Sequence, residues 1–336
     1  MSQVDCEHYR LPMIGENPNY LSAFSDIATG YKAMYQCYKS LAGNQSLLQY
    51  ISKRTVTEFH ELPSFTQLEI STVLLLIIFW FAFRYIIVKH ASALARKNWT
   101  GISDETVGKF GESCYKTLAY SILWSLAMFV TFFSGNTFFQ NTIQIFSKEM
   151  NEGIDLKVCY AMEVAFYFQA IIGTLFFDVR KKDDMAMILH HIVTIGLITF
   201  SYKIDGLAIG VIIFVLDDLS DIFLEVGKIF TYINLTDQFR QSAYINLGSD
   251  ICAVGFVLVW IVNRLYFHVT KVWRPASYAA VCSMKWRLPA RFTLVLNAMV
   301  MLLYLFYWYW FLFIVNFIYR LVALKERKCD PREKKD

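Results

Sequence analysis

The chain alternates long apolar runs with short polar connections, and seven runs approach the ~20 residues that a helix needs to cross a bilayer. In chain order, the predicted spans are Leu68–Val88, Lys116–Ser134, Val158–Phe177, Met185–Tyr202, Gly206–Phe230, Ile245–Phe267 and Phe292–Val322. The connections are too short to hold a separate soluble domain. The composition agrees, because only 18% of the residues are charged, whereas a soluble protein carries about 25%. We therefore predict an all-α polytopic membrane protein.

The two polar ends of the chain differ in character. Residues 1–67 lack the basic flank and the apolar core of a signal peptide, and are predicted to form a soluble arm. The net charge is only +4, and its basic surplus is concentrated at the C-terminus. Such a cluster is typical of a membrane-flanking tail and not of a nucleic-acid-binding surface. Its members are Arg320, Lys325, Arg327, Lys328, Arg332, Lys334 and Lys335.

Basic residues around the first span indicate its orientation. Lys53 and Arg54 precede the span, whereas Lys89, Arg96 and Lys97 follow it, which favours an N-terminal arm outside the cytosol. Seven spans then place the C-terminal tail in the cytosol. The loop after the sixth span conflicts with this scheme, because it is basic and would be luminal. Its charges are Lys271, Arg274, Lys285, Arg287 and Arg291.

This orientation divides the chain into four parts. They are a luminal arm at 1–67, a first transmembrane helix and cytosolic loop at 68–107, a membrane domain at 108–322 and a basic cytosolic tail at 323–336. Three N-x-[ST] sequons occur, at Asn44, Asn98 and Asn234. Only Asn44 would be luminal, so it is the candidate glycosylation site.

Two adjacent histidines, His190 and His191, lie inside the fourth predicted span. Charged side chains at bilayer depth cost about 2.5–3.5 kcal/mol each on insertion scales, so ionisable groups there indicate a function. Neighbouring helical residues point roughly 100° apart, and we expect one reactive imidazole and one that packs. Thr194 follows one turn later, and its hydroxyl is predicted to orient either imidazole. No metal is predicted, because the pair lacks i, i+4 spacing and the cysteines form no C-x-x-C.

An acidic stripe follows on the fifth predicted span. Its members recur at helical spacing, so they share a face that must meet a polar cavity or partner groups. The two spans are joined only by residues 203–205 and form an antiparallel hairpin, in which a carboxylate is predicted to reach a histidine and fix its tautomer. The polar residues of the stripe and its flank are Asp217, Asp218, Ser220, Asp221, Glu225 and Lys228.

A charged turn separates the third and fourth spans. Its cations Arg180, Lys181 and Lys182 are candidate contacts to the phosphates of a charged cosubstrate. Its acids are Asp178, Asp183 and Asp184. Elsewhere in the spans, Glu163, Asp250 and Asn297 are predicted to form hydrogen bonds between helices.

The run FFDVRKKDDMAMILHHIVTIGLITFSY, followed by LDDLSDIFLEVGKIFTY, resembles the signature of the ceramide synthases, the longevity-assurance branch of the TLC-domain superfamily. The family pattern is roughly D-x-R-R-K-D-F, M-x-x-H-H-x-x-T, F-S-Y and H-D-x-S-D-x-x-L-E-x-x-K. Shorter similarities lie at Lys109–Ser113, at Phe166-Tyr167 and at Asn263-Arg264. The resemblance covers about residues 108–322.

The resemblance implies an enzyme of the endoplasmic reticulum membrane that transfers an acyl group from fatty acyl-coenzyme A to the amine of a sphingoid base, without a further cofactor. It also implies a barrel of six helices around a lipid tunnel. By position, His190, His191, Asp218 and Asp221 match the family's essential residues. The candidates for substrate binding are Asp217, Ser220, Thr194, Glu225, Arg180, Lys181 and Lys182. Exposed aromatic faces would permit a homo- or heterodimer.

Two positions depart from the family pattern. Asp217 stands where many members have histidine, and Asp184 stands where the pattern has an aromatic residue. These departures keep a second interpretation open, a non-catalytic TLC-domain protein that senses or carries lipid. A third interpretation is a metal-dependent intramembrane hydrolase, which the absence of H-x-x-x-H argues against. The retained histidine pair and D-x-S-D favour the acyltransferase.

Overall fold

The computed structural model describes residues 19–46, 49, 64–134, 139, 153–178, 181–204, 206–240, 242–277 and 290–323. In this part of the chain the helices are α1 (Tyr20–Ala42), α2 (Gln67–Asn98), α3 (Asp104–Met128), α4 (Ile154–Phe176), α5 (Asp184–Lys203), α6 (Leu207–Asn234), α7 (Ala243–Val259) and α8 (Ala290–Val322).

The prediction of an all-α polytopic membrane protein is confirmed. The described residues contain no strand, and six of their helices are long and apolar enough to cross a membrane. The predicted fifth span is α6, which is strongly apolar in its first half but carries three aspartates, at 217, 218 and 221, and is not among those six. The count of seven spans therefore includes one helix that only a polar interior can accommodate.

Two helices extend well beyond the apolar runs that predicted them, and polar side chains cap the N-terminus of each. At the start of α2, Thr66 and Glu69 form a capping box. The Ser103 hydroxyl caps α3 by accepting a backbone N–H three residues later. Such caps satisfy N–H groups that have no partner in a first helical turn. The Ser103 cap starts α3 at Asp104, ahead of the predicted Lys116, whereas α2 starts within one residue of its prediction and continues past Val88 to Asn98.

Helices α3 and α7 continue into wider π-helical turns, at Phe129–Phe133 and Trp260–Trp273 respectively. A π-turn adds a residue to each helical turn and changes the direction of the side chains that follow. In α7, four polar side chains of this stretch are buried: Asn263, Arg264, His268 and Thr270.

Helices α3 to α8 form a closed barrel in the order α3, α6, α7, α8, α5 and α4, and α2 packs outside it against α3 and α4. This arrangement is the predicted six-helix barrel. The first half of α6, from Leu207 to Leu216, is buried on every side and fills one end of the barrel. Gly210 permits this packing, because a Cβ there would lie 1.9 Å from the Tyr160 hydroxyl.

Helix α1 was not predicted, since the arm was expected only to be soluble. It packs against the end of α7, where the Trp273 indole N–H donates to the Tyr31 hydroxyl at 2.9 Å. Most of the arm before Tyr20, and the tail after residue 323, lie outside the described residues. Asn44 is exposed just beyond α1, and its glycosylation stays a prediction.

The basic loop after α7 is partly used within the protein. The buried Arg274 guanidinium donates to Asp26 of α1 at 2.8 Å, and the Lys271 ammonium lies 5.4 Å from the centre of the Phe139 ring. These contacts give two of the five cations a role other than marking the cytosolic side. Lys285 and Arg287 lie outside the described residues, as does the side chain of Arg291.

Candidate active site

A cavity of about 320 Å³ lies at the end of the barrel where α5 begins and where α4 and α6 end. Every helix from α2 to α8 contributes to its wall. The wall carries equal numbers of cationic and acidic side chains. The cations are Arg84, Lys116, Lys181, Lys228 and Arg264, and the acids are Asp178, Asp183, Asp184, Asp221 and Glu225.

Both predicted histidines line this cavity, and each is buried, with 7% of His190 and 6% of His191 exposed. Their ring centroids are 5.5 Å apart. Aromatic side chains hold the imidazoles edge to face: Trp310 lies 5.1 Å from His190, and Tyr167 lies 5.4 Å from His191. The Nδ1 atoms of both imidazoles lack a hydrogen-bond partner among the described residues. No carboxylate bonds either Nδ1 atom in this part of the chain, where aromatic packing surrounds the imidazoles, and the fixing of a tautomer by a carboxylate stays a prediction.

Two hydroxyls predicted to serve the site bond to their own helices. Thr194 donates to the His190 carbonyl at 2.9 Å, and Ser220 donates to the Asp217 carbonyl at 2.8 Å. Hydroxyls inside buried helices commonly satisfy themselves in this way. Neither side chain lines the cavity. Both hydroxyls therefore have a structural bond within their own helix, and the roles predicted for them, in orienting an imidazole or contacting substrate, stay predictions.

The acids of α6 meet three different surroundings. Asp221 and Glu225 line the cavity, as predicted for the stripe. Asp218 lies one turn deeper, behind the wall, where it is buried, and its Oδ2 atom has no hydrogen-bond partner among the described residues. Asp217 also lies outside the cavity and accepts a hydrogen bond from the Tyr307 hydroxyl at 2.6 Å. Asp217 and Asp218 therefore do not border the described cavity, because along α6 the cavity begins only at Asp221.

Arg264 of α7 connects this acidic cluster. Its Nη2 donates to an Asp221 oxygen at 2.8 Å, and its Nε lies 3.8 Å from an Asp217 oxygen. The guanidinium is 4.3 Å from the centre of the Trp260 ring. A buried guanidinium that is bonded and stacked in this way holds its partners in fixed positions. Arg264 thus places the Asp221 carboxylate at the cavity wall.

A second charged cluster lies near the mouth. Asp178 accepts from Arg84 of α2 at 2.5 Å and from Lys116 of α3 at 3.0 Å, and Lys116 also pairs with Glu112. Burial alone would raise the pKa of the Asp178 carboxyl. However, the nearby Lys116 and Arg84 cations outweigh burial, and the pKa lies well below its usual range. Gly173 leaves room for Arg84, because a Cβ there would lie 2.4 Å from Nη1.

The sequence interpretation assigned no role to Arg84 or Lys116. A signal was present for Arg84, which is a charge inside an otherwise apolar run and therefore expected to have a buried partner. The identity of that partner, Asp178, follows only from the packing of α2 against α4.

The charged turn before α5 contributes less than predicted. Lys181 and Asp184 line the cavity, and the Lys181 backbone N–H donates to Asp184 at 3.1 Å. Asp183 is buried and accepts from the Trp310 indole at 2.9 Å. Lys182 is exposed and is not part of the wall, and Arg180 lies outside the described residues. The dipole of α5 favours an acid in its first turn, and this explains why Asp184 is stable at that position.

The metal-dependent alternative lacks a ligand set in the described part of the chain. No group of three or more His, Cys, Asp or Glu side chains there is arranged to hold a metal ion.

The profile of the TLC-domain family matches residues 109–316, which is more than half of the chain. This chain belongs to the TLC-domain family. The TLC-domain chain is 32% identical over 221 residues to ceramide synthase 1 of Homo sapiens, covering 64% of this chain and 61% of that protein. It is 26% identical over 245 residues to ceramide synthase hyl-2 of Caenorhabditis elegans, covering 67% and 71%. It is 37% identical over 122 residues to ceramide synthase 4 of Mus musculus, covering 36% and 28%. The chain thus spans about three fifths of the length of the human relative.

Proposed function

We propose that this TLC-domain protein is a ceramide synthase, which transfers a fatty acyl group from acyl-coenzyme A to the amine of a sphingoid base. The observation that carries the proposal is the position of His190 and His191. They lie side by side in the wall of the cavity, enclosed by the barrel, with the acids Asp221 and Glu225 on the same wall. The relatives named as ceramide synthases support the same reaction.

The cavity offers different surfaces to the two substrates. Cations of the wall, among them Lys116, Lys181 and Lys228, suit the phosphates of coenzyme A. The Glu225 Oε2 atom is buried without a hydrogen-bond partner among the described residues, so it suits the ammonium group of a sphingoid base. Apolar side chains of α7 and α8, such as Phe256 and Phe313, suit the hydrocarbon chains.

The chemistry requires a group that accepts protons beside the thioester carbon. Neutral imidazole can take a proton from the attacking amine or can take the acyl group itself. In either route the C–N bond of the amide forms, the C–S bond of the thioester breaks, and the leaving thiolate receives a proton. Enclosure by the barrel aligns the reactants and keeps water from hydrolysing the acyl donor.

The cellular setting follows from the same proposal. A ceramide synthase with these spans would reside in the endoplasmic reticulum membrane with its arm in the lumen and its tail in the cytosol. Dimer formation stays a prediction.

An acyltransferase assay of detergent-purified protein tests the proposal. It uses a long-chain sphingoid base with a panel of acyl-coenzyme A lengths. We expect His190→Ala and His191→Ala to lower turnover by at least about 100-fold, the usual scale for losing an acid–base group. The matched control is His90→Ala, which removes an exposed histidine of α2 and should leave turnover unchanged. Near-normal activity in folded His190 and His191 variants would refute the assignment. Absence of product while both lipids still bind would favour a lipid sensor or carrier.

A further inference from the structure

Two acids of the cavity wall, Asp221 and Glu225, lie one turn apart on α6, and each is bonded to a cation through one oxygen. The Arg264 guanidinium donates to Asp221 Oδ2 at 2.8 Å, and the Lys228 ammonium donates to Glu225 Oε1 at 2.7 Å. The second oxygens, Asp221 Oδ1 and Glu225 Oε2, receive no hydrogen bond from the described residues. The wall therefore presents two neighbouring acceptors.

The burial of Glu225 indicates that this pair receives a ligand. The residue is only 5% exposed, yet it lines the cavity, and its Oε2 atom has no donor among the described residues. A buried carboxylate oxygen without a donor costs free energy unless a ligand supplies one. Asp221 also lines the cavity, and 22% of its side chain is exposed, so a ligand there can reach it.

Arg264 of α7 holds Asp221 in a defined position. Its Nη2 atom donates to Asp221 Oδ2 and also to the Asp217 carbonyl at 3.0 Å, so it joins one turn of α6 to α7. The guanidinium lies 4.3 Å from the centre of the Trp260 ring. A planar guanidinium that is bonded to two acceptors and stacked on a ring has little freedom to rotate. Because Oδ2 is used by Arg264, Oδ1 is the oxygen that a ligand can use.

Two acceptors at this spacing suit an amino alcohol. Residues one helical turn apart have Cβ atoms about 5–6 Å from each other. An amine and a hydroxyl on adjacent carbons are closer together than this, so each can donate to its own carboxylate at normal hydrogen-bond length. A sphingoid base carries this group, because the carbon that bears its amine lies between two carbons that bear hydroxyls. A simple long-chain amine offers only one of the two donors.

We propose that Asp221 Oδ1 binds a hydroxyl of the sphingoid base beside the amine that Glu225 binds, and that Arg264 is the residue that positions Asp221. This inference rests on the proposed function and deepens it, since it names the headgroup that the site recognises. The site then selects 2-amino alcohols over plain amines. A base without the hydroxyls displaces water from Asp221 Oδ1 and supplies no donor in its place, which lowers its reaction rate.

The kinetic test compares two bases of equal chain length, sphinganine and octadecylamine, which lacks both hydroxyls. We expect the kcat/KM of the wild type to favour sphinganine by about 100-fold. Asp221→Ala should reduce this preference to within about threefold, because it lowers kcat/KM for sphinganine far more than for octadecylamine. Arg264→Lys keeps the cation but loses the planar fork, and should reduce the preference by about tenfold. General damage to the fold would lower both rates and leave their ratio unchanged. Asp104→Ala removes an exposed acid outside the cavity wall and should keep the wild-type preference.

Calorimetric titration of the same two bases into detergent-purified protein, without acyl-coenzyme A, tests the site without turnover. We expect the wild type to bind sphinganine more tightly than octadecylamine, and folded Asp221→Ala to lose this difference. The proposal is overturned if the wild type shows no preference for sphinganine, or if Asp221→Ala retains it. If the wild type forms no ceramide but binds sphinganine with an Asp221-dependent preference, the proposed function fails and the headgroup site stands. Ceramide formation without that preference would support the proposed function and exclude the headgroup site.

Discussion

Asp217 is stabilised by donors from two other helices. The Tyr307 hydroxyl of α8 donates to one of its oxygens at 2.6 Å, and the Arg264 guanidinium of α7 lies 3.8 Å from the other. These contacts explain how this chain accommodates an acid where the family pattern often has histidine. The acid needs both a donor and a cation at bilayer depth, and the neighbouring helices supply them.

Replacing Tyr307 tests this account. We expect Tyr307→Phe to lower the free energy of unfolding by about 1.5–3 kcal/mol, since it removes a hydrogen bond to a buried carboxylate. The measurement is thermal or denaturant unfolding of the detergent-solubilised protein. Tyr319→Phe, on the exposed face of the same helix, is the matched control and should change stability little. Equal stability of the two variants would contradict the role given to the hydroxyl.

The polar residues of this site could be predicted from sequence, but their partners could not. A histidine pair and an acidic stripe at bilayer depth already indicate a polar cavity. However, the stripe fixes only the face of α6 and not the depth at which the cavity ends. That depth separates Asp221, which lines the wall, from Asp218, which is buried behind it. It depends on the axial position of α4 relative to α6. The sequence pattern of either helix alone does not determine that position.

At the scale of helices, apolar runs locate the membrane-embedded parts well and the ends poorly. The predicted Met185–Tyr202 span differs from α5 by one residue at each end, because polar turns bound it on both sides. In contrast, α2 continues past its predicted end into polar sequence, and α3 begins at the Ser103 cap, ahead of its predicted start. The helix α1 has no long apolar run, although Asn19 caps it and Ala23 and Ile27 lie buried one turn apart. Its stability comes from packing that the sequence pattern does not display.

The Asp178 cluster joins three helices, and its strength should depend on pH. The pKa of Asp178 is held below its ordinary value in the folded protein. Its stabilising effect is therefore complete at neutral pH and is lost as the pH falls below the usual carboxyl range of about 4. We expect Asp178→Asn to cost about 3–5 kcal/mol at pH 7, because it leaves Arg84 and Lys116 without their shared acid.

Unfolding of wild-type and Asp178→Asn protein across a pH series measures this effect. The difference between the two proteins should be largest at neutral pH and should shrink on acidification. Asp104→Asn is the control, because Asp104 forms an exposed ion pair with Arg96. Exposed pairs contribute little, so this variant should follow the wild type throughout. A wild-type advantage that is constant with pH would count against the ion cluster.

At the scale of the whole molecule, the barrel is filled at one end and hollow at the other. The buried first half of α6 occupies one end, and the cavity occupies the other. Trp260 belongs to the wall of this cavity and contacts Arg264. Under the proposed function, its bulk helps to limit the length of acyl chain that the cavity accepts.

A smaller side chain at this position should change the chain-length preference. We expect Trp260→Leu to shift the ratio of kcat/KM toward longer acyl-coenzyme A substrates by about tenfold, the discrimination that one or two methylene groups provide. The acyltransferase assay with its panel of chain lengths gives this ratio directly. Trp308→Leu removes a partly exposed tryptophan of α8 outside the cavity, and its preference should stay that of the wild type. An unchanged ratio in Trp260→Leu would exclude this side chain as a length determinant.

The segment that matches the family profile is shorter than the set of helices that pack together in the structure. The family match begins at residue 109, yet Arg84 of α2 supplies the cation that Asp178 needs, and α1 supplies the acid that Arg274 needs. A chimaera cut at the start of the matched segment would therefore separate both ion pairs unless the two parents carry compatible partners. For the construction of hybrid proteins from this family, the junction belongs ahead of α1, because the ion pairs of Arg84 and Arg274 must stay together for a hybrid to remain intact.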